Sequence, residues 1–321
     1  MQRLTFRNAI WLLVAIAGYA FIFALIKARI INPFYEITLV TVMINIIYAV
    51  GLNLILGVAG QFSLGHAGFI AIGAYAGAIA SIKIPGMQGL YVGMGIGVLL
   101  SIVVALLVGI PTLRLKGDYL AIATLGVAEI IRVLINNMRE ITNGPAGISG
   151  IPLITTWQIV YVCLVLTTIL ILNYVYSSAG RATYAVLQDE IAAESMGINI
   201  TKYKVLAFIL GAVTASIGGT LSATYIGVVT PGDFSFVKSI DILIIVVFGG
   251  IGSFTGSFVA AILLGVLNTL LQPYGQLRMI IYAVSLILIM IFRPGGLLGT
   301  KELRVGALVE HLLGKKREAT S

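Results

Sequence analysis

The stretch ITLVTVMINIIYAVGLNLILGV, residues 37–58, carries no charged side chain and decides the fold class. A helix needs about 20 apolar residues to cross the hydrocarbon core of a membrane, and this run is long enough. Comparable runs recur along the chain, and they give the candidate spans Ala9–Ile26, Ile37–Val58, Phe62–Ile82, Gly89–Ile110, Tyr119–Asn136, Trp157–Tyr176, Tyr203–Gly227, Ile240–Gly249, Phe254–Leu271 and Leu277–Phe292. We therefore expect an all-α polytopic membrane protein with about ten transmembrane helices, some of them short or re-entrant.

The composition excludes a soluble globular protein. Hydrophobic residues make up 59% of the 321 residues and only 10% are charged, whereas about a quarter of the residues of a soluble domain are charged. The mean hydropathy of +1.07 agrees. In such a chain the net charge of +8 marks cytoplasmic loops and contacts with lipid headgroups. We therefore expect membrane lipid, and no nucleic acid, as a partner.

The first and eighth runs need separate interpretation. Arg3 and Arg7 precede the first run as in a signal peptide, but no small-residue cleavage site follows, so we expect an uncleaved first span. The eighth run is too short to cross and meets glycines within residues 249–252, which predicts a half-helix or a re-entrant element. Lys238 and Asp241 flank its start, and we expect them to pair at the level of the lipid headgroups.

The distribution of the 20 Lys and Arg residues predicts the orientation. With an even number of crossings and both termini in the cytoplasm, most of these cations fall inside, as the positive-inside rule requires. Eight crossings plus two re-entrant segments satisfy the same parity. The polar residues 137–156 are then external, and residues 177–204 are cytoplasmic. We expect one membrane domain over residues 1–300 and a polar cytoplasmic tail over residues 301–321.

A short helix with a narrow apolar stripe is predicted over Arg181–Met196. Such a helix either rests on the lipid surface or docks a protein. Helices that lie on a membrane normally present Lys and Arg to the anionic headgroups. This one instead carries the carboxylates of Asp189, Glu190 and Glu194. Repulsion from an anionic leaflet therefore favours a protein partner.

Four polar residues within the apolar runs are candidates for lining a transport pathway. Gln61, Ser63 and His66 lie in the glycine-rich stretch Gly60–Ala78, and Thr124 is an interior position of the fifth run. Small residues of this kind often permit close helix packing, and a lone histidine often only forms hydrogen bonds. The alternative is that these side chains face a polar solute at a helix entrance. The sequence leaves both interpretations open.

Glu129 and Arg132 stand three residues apart on one helix face. Since an isolated charge in lipid is unfavourable, a structural ion pair near the membrane interface is the simpler interpretation. Contact with a zwitterionic substrate, which needs one acidic and one basic partner, is the alternative. Asn53 is a further interior polar residue, which lines a pathway or bonds a neighbouring helix.

Five segments, in order along the chain, carry a family resemblance. They are GQFSLGHAGFIAIGAYAGA (60–78), GDYLAIATLGVAEIIR (117–132), GRATYAVLQDEIAAESMGINITKYKVLAF (180–208), GGIGSFTGS (249–257) and FRPGGLLG (292–299). The third resembles the cytoplasmic signature of branched-chain amino acid ABC transporter permeases, and the second is similar to that of their M-type subunit. Gln188 departs from the charged residue that relatives often have there.

The resemblance implies a permease domain with a fold similar to the type II, ten-helix importers of the cobalamin kind. It implies a heterodimer with a related second permease subunit, two cytoplasmic ATPase subunits and an extracytoplasmic substrate-binding protein. The substrate class is branched-chain or other hydrophobic amino acids, and the location is the bacterial or archaeal inner membrane. The resemblance places ATPase coupling in residues 177–204, on Gly180, Arg181, Asp189, Glu190, Ala193 and Gly197.

The chain is not expected to be an enzyme or to hold a cofactor or metal. It contains neither a GxxxxGK[ST] nucleotide loop nor an HExxH motif, and it has only two histidines. ATP is therefore expected to be used by partner subunits. The alternative function is an ion-coupled secondary transporter of a small polar solute that acts alone. Such carriers bind ions at buried acidic or histidine side chains near mid-membrane, for which this chain offers His66 and Glu129.

Overall fold

The structure is a computed structural model, and it describes residues 2–28, 32–112, 115, 117–274, 280, 283, 284, 287, 291, 295–297 and 299; of residues 2–14 and 273 it describes the backbone alone. Its helices are α1 Gln2–Lys27, α2 Pro33–Asn53, α3 His66–Lys83, α4 Met87–Thr112, α5 Asp118–Asn137, α6 Arg139–Thr142, α7 Trp157–Tyr176, α8 Ser178–Gln188, α9 Glu190–Ser195, α10 Ile200–Ile226, α11 Phe236–Gly249 and α12 Phe254–Leu270. The short elements are the π-helix Leu54–Val58, which continues α2, the 3₁₀ turns Gly144–Ala146, Pro231–Phe234 and Gln272–Tyr274, and the paired strands β1 Ile148–Ser149 and β2 Val228–Val229. The predicted all-α fold class is confirmed.

Several of these helices qualify as membrane spans, and the protein is a multi-pass membrane protein. Within the described residues, 4 segments are long and apolar enough to cross, namely Pro33–Val58, Met87–Thr112, Trp157–Tyr176 and Ile200–Ile226. A fifth crossing results if α11 and α12, which meet at 119°, count as one bent span. This bend agrees with the half-helix interpretation of the eighth run. The tenth candidate span falls largely outside the described residues, as do residues 301–321, so the number of crossings stays a prediction.

Glycines hold α3, α4 and α10 in close contact at the centre of the bundle. A β-carbon at Gly73 would lie 2.0 Å from the backbone oxygen of Ser216, and one at Gly93 would lie 2.8 Å from the Cα of Gly77. Thr220 donates a hydrogen bond of 2.8 Å to the backbone oxygen of Gly73. Because larger side chains would force these backbones apart, the glycines of the GxxxG pairs serve helix packing.

The two polar stretches lie at opposite ends of the bundle. Residues 137–156 fold beside the end of α10, where β1 pairs antiparallel with β2. At the other end, α8 and α9 connect the end of α7 to the start of α10. The 20 residues of α7 separate the two stretches by about 30 Å, which is the thickness of the hydrocarbon core.

The 177–204 segment differs from the prediction of a single helix. Asp189 has an extended backbone (φ −156°, ψ 113°) and separates α8 from α9. Its carboxylate accepts hydrogen bonds from the backbone N–H groups of Ile191 (2.9 Å) and Ala192 (3.1 Å). Continuous helix over residues 181–196 was therefore the wrong expectation, because an aspartate that caps a new helix competes with continuation of the old one.

Candidate functional site

Gly180 and Arg181 fasten the 177–204 segment to the end of α7. A β-carbon at Gly180 would lie 2.3 Å from two carbonyl oxygens in the last turn of α7, so only glycine fits there. The Arg181 guanidinium donates to the Tyr176 carbonyl (3.2 Å) and to the Ser178 hydroxyl (3.0 Å). A cation at a helix C-terminus also complements the helix dipole. These two residues set the direction in which α8 leaves the membrane helix.

The other four residues predicted for coupling shape the turn between α8 and α10. Asp189 caps α9 as described above, and Glu190 accepts a hydrogen bond of 2.5 Å from Lys204 of α10. Ala193 is buried, and its carbonyl accepts a hydrogen bond of 3.0 Å from the turn after α9. Gly197 has φ 80°, a conformation that favours glycine. The acidic pair therefore stabilises the segment internally.

Three residues at the tip of the segment remain open to a partner. Ile191 and Met196 are each 81% exposed, and Glu194 between them is exposed as well. Large apolar side chains that stand free outside a membrane bundle typically mark a contact with another molecule. Sequence reasoning missed Met196, although an apolar residue next to the stop signal at Gly197 was a usable indication.

At the other candidate region, the chain between the π-helix and α3 is extended and meets Thr124 of α5. The Thr124 hydroxyl accepts a hydrogen bond from the Leu64 N–H (3.1 Å) and donates one to the Ala121 carbonyl (3.0 Å). The Ser63 hydroxyl accepts from the Gly65 N–H (3.3 Å). The hydroxyls of Thr124 and Ser63 thus hold this loop against α5.

Gln61 and His66 are buried polar residues without partners. Each is 1% exposed, and none of their side-chain nitrogen or oxygen atoms forms a hydrogen bond in the described part of the chain. The backbone of Tyr48 approaches the His66 ring without completing a hydrogen bond. Next to it, the Ala67 N–H donates to the Ser239 hydroxyl of α11 (3.0 Å). Since buried polar groups normally have a partner, these two side chains indicate a place that holds water or a polar ligand.

The ion pair of α5 lies away from this place. The Arg132 guanidinium donates two hydrogen bonds from Nε to the carboxylate oxygens of Glu129 (3.1 and 2.9 Å), and the two side chains are 32% and 49% exposed. Thr124 faces the buried side of α5. Glu129 is five residues further on and is therefore rotated by about 140° from it. The structure brings Ser63 and Thr124 together but leaves the Glu129–Arg132 pair on the opposite face.

Asn53 is a functional candidate whose role the sequence left open. It is fully buried at 0% exposure and donates from its amide to the Ser253 carbonyl (2.8 Å) and the Ser257 hydroxyl (2.9 Å). Its amide oxygen accepts from the Gly252 N–H (2.8 Å). Beside it, a β-carbon at Gly57 would lie 2.3 Å from the Gly252 nitrogen. Asn53 therefore joins the π-helix to the bend between α11 and α12.

The expected headgroup-level pair of Lys238 and Asp241 is wrong. In the part of the chain that the structure describes, the ion pairs within 4.0 Å do not join these residues. The Lys238 amine instead lies 5.7 Å from the centroid of the Tyr48 ring, which is buried in the middle of the Pro33–Val58 span. After β2 the chain re-enters the bundle through the turn Pro231–Phe234, so α11 begins inside it. Among the described residues, no group of His, Cys, Asp and Glu side chains is suited to hold a metal ion.

Comparison with known proteins agrees with the all-helical architecture. The family described as "Branched-chain amino acid transport system / permease component" matches residues 34–292. The high-affinity branched-chain amino acid transport system permease protein LivM of Escherichia coli is 37% identical over 290 residues, which cover 80% of this chain and 68% of LivM. The permease protein LivH of the same organism is 25% identical over 287 residues, covering 79% and 91%. BraD of Pseudomonas aeruginosa is 34% identical over 128 residues, covering 39% and 41%. No solved structure matches the chain significantly. A match over most of its length shows that the chain belongs to the family of permease components of branched-chain amino acid transport systems.

Proposed function

We propose that this chain is the M-type transmembrane permease subunit of an ATP-binding-cassette importer. It carries branched-chain or other hydrophobic amino acids across the inner membrane of a bacterium or archaeon. The family match carries the proposal, because LivM and LivH are both permease proteins of high-affinity branched-chain amino acid transport systems. Residues 1–300 form its permease domain, and both termini lie in the cytoplasm.

The proposed importer contains three kinds of partner. Similarity to both LivM and LivH supports a heterodimer of two related permease subunits. Because the sequence has no GxxxxGK[ST] loop, hydrolysis of ATP is assigned to two cytoplasmic ATPase subunits. A substrate-binding protein on the other side delivers the amino acid, and residues 137–156 are the proposed contact for it.

The ATPase docks on the tip of the 177–204 segment. Ile191 and Met196 supply exposed apolar surface at this tip, and such surface gains free energy when a partner covers it. The residues predicted from the family resemblance act behind this contact. Arg181 ties the segment to α7 and Glu190 ties it to α10, so a push on the tip is passed to both membrane helices.

The amino acid passes along the extended loop before α3. The unpartnered side chains of Gln61 and His66 support this assignment, and Ser63 and Thr124 hold the loop in place. We assign Glu129 and Arg132 to structural pairing on the surface of α5, since each satisfies the other's charge.

Reconstitution of the permease pair in proteoliposomes tests this function. We expect uptake of radiolabelled leucine only when ATP, both permeases, the ATPase subunits and the binding protein are all present. A preparation whose ATPase carries a disabled nucleotide loop is the matched control and should show no uptake. Uptake by this chain alone, driven by an ion gradient, would overturn the proposal in favour of a secondary transporter.

A further inference from the structure

We propose that Lys238 receives the carboxylate of the transported amino acid midway across the membrane, with Asp241 on the same helix face taking its ammonium group. This inference rests on the proposed function, since it identifies the intramembrane contact for that substrate. It uses residues that lie outside the segments of the family resemblance described above.

Lys238 lies deep within the bundle. Its amine is 5.7 Å from the centroid of the Tyr48 ring. Tyr48 stands about 22 Å along the helix from Pro33 and about 15 Å from Val58, at 1.5 Å per residue. The hydrocarbon core is about 30 Å thick, so the amine lies well below either headgroup layer.

No carboxylate neutralises this amine at contact distance. Within the described residues, the ion pairs within 4.0 Å are Arg132–Glu129 and Lys204–Glu190. Asp233 and Asp241 act on Lys238 only through space, and Asp233 is already engaged by the N–H and hydroxyl of Thr230. A cation within a membrane is unfavourable unless it has a partner or faces water, so such a lysine marks a functional site.

One side of the site opens outward from the bundle. Phe236 is 43% and Val237 is 62% exposed, and Asp241 is exposed on the same part of α11. A carboxylate at this depth cannot face hydrocarbon. The start of α11 therefore faces a polar passage, and in the proposed importer that passage runs between the two permease subunits.

The other side of the site is closed and polar. The Ala67 N–H of α3 donates to the Ser239 hydroxyl, which places the first turn of α3 against α11 next to Lys238. His66 starts that turn with both ring nitrogens unpartnered. A helix N-terminus that points into the membrane interior favours a carboxylate, as does the amine. Lys238 and the start of α3 thus converge on one place for an anion.

The geometry fits an α-amino acid better than a simple anion or cation. Lys238 and Asp241 are three residues apart, a spacing at which helical side chains are neighbours, about 5–6 Å apart at their Cβ atoms. A positive and a negative group at this separation match the adjacent carboxylate and ammonium of a zwitterion. Phe236 and Val237 supply apolar surface at its mouth for a hydrocarbon side chain.

The test uses the complete importer with wild-type chain, Lys238→Met, Lys238→Arg and the control Lys83→Met, which removes an exposed lysine at the end of α3. Leucine uptake is measured with ATP, together with crosslinking by a diazirine analogue of leucine. We expect Lys238→Met to lower uptake and crosslinking at residues 236–241 at least tenfold while the purified complex stays intact. Lys238→Arg and Lys83→Met should retain most of both.

Three results would overturn the inference. Unchanged crosslinking and uptake in Lys238→Met would show that the amine does not bind substrate. Loss of the second permease from purified Lys238→Met complexes would show that the lysine pairs with a carboxylate of that subunit instead. Loss of uptake with undiminished crosslinking would assign Lys238 to another step. Absence of leucine uptake by the wild-type importer is a separate outcome, since it contradicts the proposed function itself.

Discussion

Replacing Asn53 by leucine should destabilise the protein by about 2–4 kcal/mol. Asn53 is fully buried and forms three hydrogen bonds of 2.8, 2.9 and 2.8 Å to Ser253, Ser257 and Gly252. Leucine has nearly the same size but can form none of them. The substitution therefore tests whether these bonds hold the π-helix against the bend between α11 and α12.

The magnitude follows from which groups are left without a partner. The Ser253 carbonyl still accepts hydrogen bonds from the Ser257 hydroxyl (3.2 Å) and N–H (3.1 Å), so those two groups lose only the net value of about 0.5–1.5 kcal/mol per bond. The Gly252 N–H, in contrast, loses its acceptor, which costs about 1–3 kcal/mol. Burial of the leucine side chain offsets about 1 kcal/mol of the total.

Unfolding of the purified protein in increasing dodecyl sulfate measures this difference. The single cysteine, Cys163, is partly buried in α7, and its reaction with a fluorogenic maleimide reports the unfolded fraction. Asn45→Leu is the matched control, because Asn45 lies on the same helix, is half-buried and forms no hydrogen bond in the described part of the chain. We expect the control to change stability by less than about 1 kcal/mol. If both variants unfold alike, the Asn53 contacts do not stabilise this junction.

Three further predictions concern the 177–204 segment, the ion pair of α5 and helix packing. Asp189→Ala removes the cap of α9 at about 1 kcal/mol and should lower binding-protein-stimulated ATPase activity severalfold, whereas Asp189→Asn keeps a capping oxygen and should retain it; equal loss in both would mean that the charge itself docks the ATPase. Exchanging Glu129 and Arg132 for each other should preserve leucine uptake to within about twofold, because the pair satisfies its own charges; loss of uptake with intact assembly would instead place the pair in the passage. Gly73→Val puts a β-carbon 2.0 Å from a backbone oxygen of α10 and should abolish the monodisperse peak in size-exclusion chromatography, whereas Gly95→Val, in open space, should leave it unchanged.

The helices were predictable where an apolar run ends at polar or glycine residues. The span Trp157–Tyr176 has the bounds in the structure that the sequence predicts, because threonines precede it and serines follow it. The bend before α12 was predictable from the glycines themselves. Gly250 and Gly252 have φ values of 113° and 87°, which other residues rarely adopt. Local chemistry determines both features, so a single sequence contains them.

Contacts between distant segments were not predictable. The partners of Asn53 lie 199 to 204 residues further along the chain, and the apolar pattern around Asn53 is the same whether it faces lipid, a loop or a pathway. The depth of Lys238 depends on the re-entry of the chain after β2, which no local periodicity encodes. Asp189 was read as part of a helix because its neighbours on both sides are helical, and only the extended backbone at this position reveals its role as a cap.

The proposed docking segment and the proposed carboxylate site are joined by contacts that were invisible in the sequence. A β-carbon at Gly60 would lie 2.5 Å from the Leu187 side chain of α8, so α8 packs directly on the end of the π-helix. Asn53 connects that π-helix to Gly252, and the helix that ends just before Gly252 begins beside Lys238. A π-helix has a wider hydrogen-bond spacing than an α-helix and recurs at functional positions. Displacement of α8 by an ATPase therefore has a continuous packed route to the helix that carries Lys238. Such a route transmits energy only if its elements have two arrangements, and the π-helix, which can revert to an α-helix by losing one residue from its turn, is the element best suited to supply them.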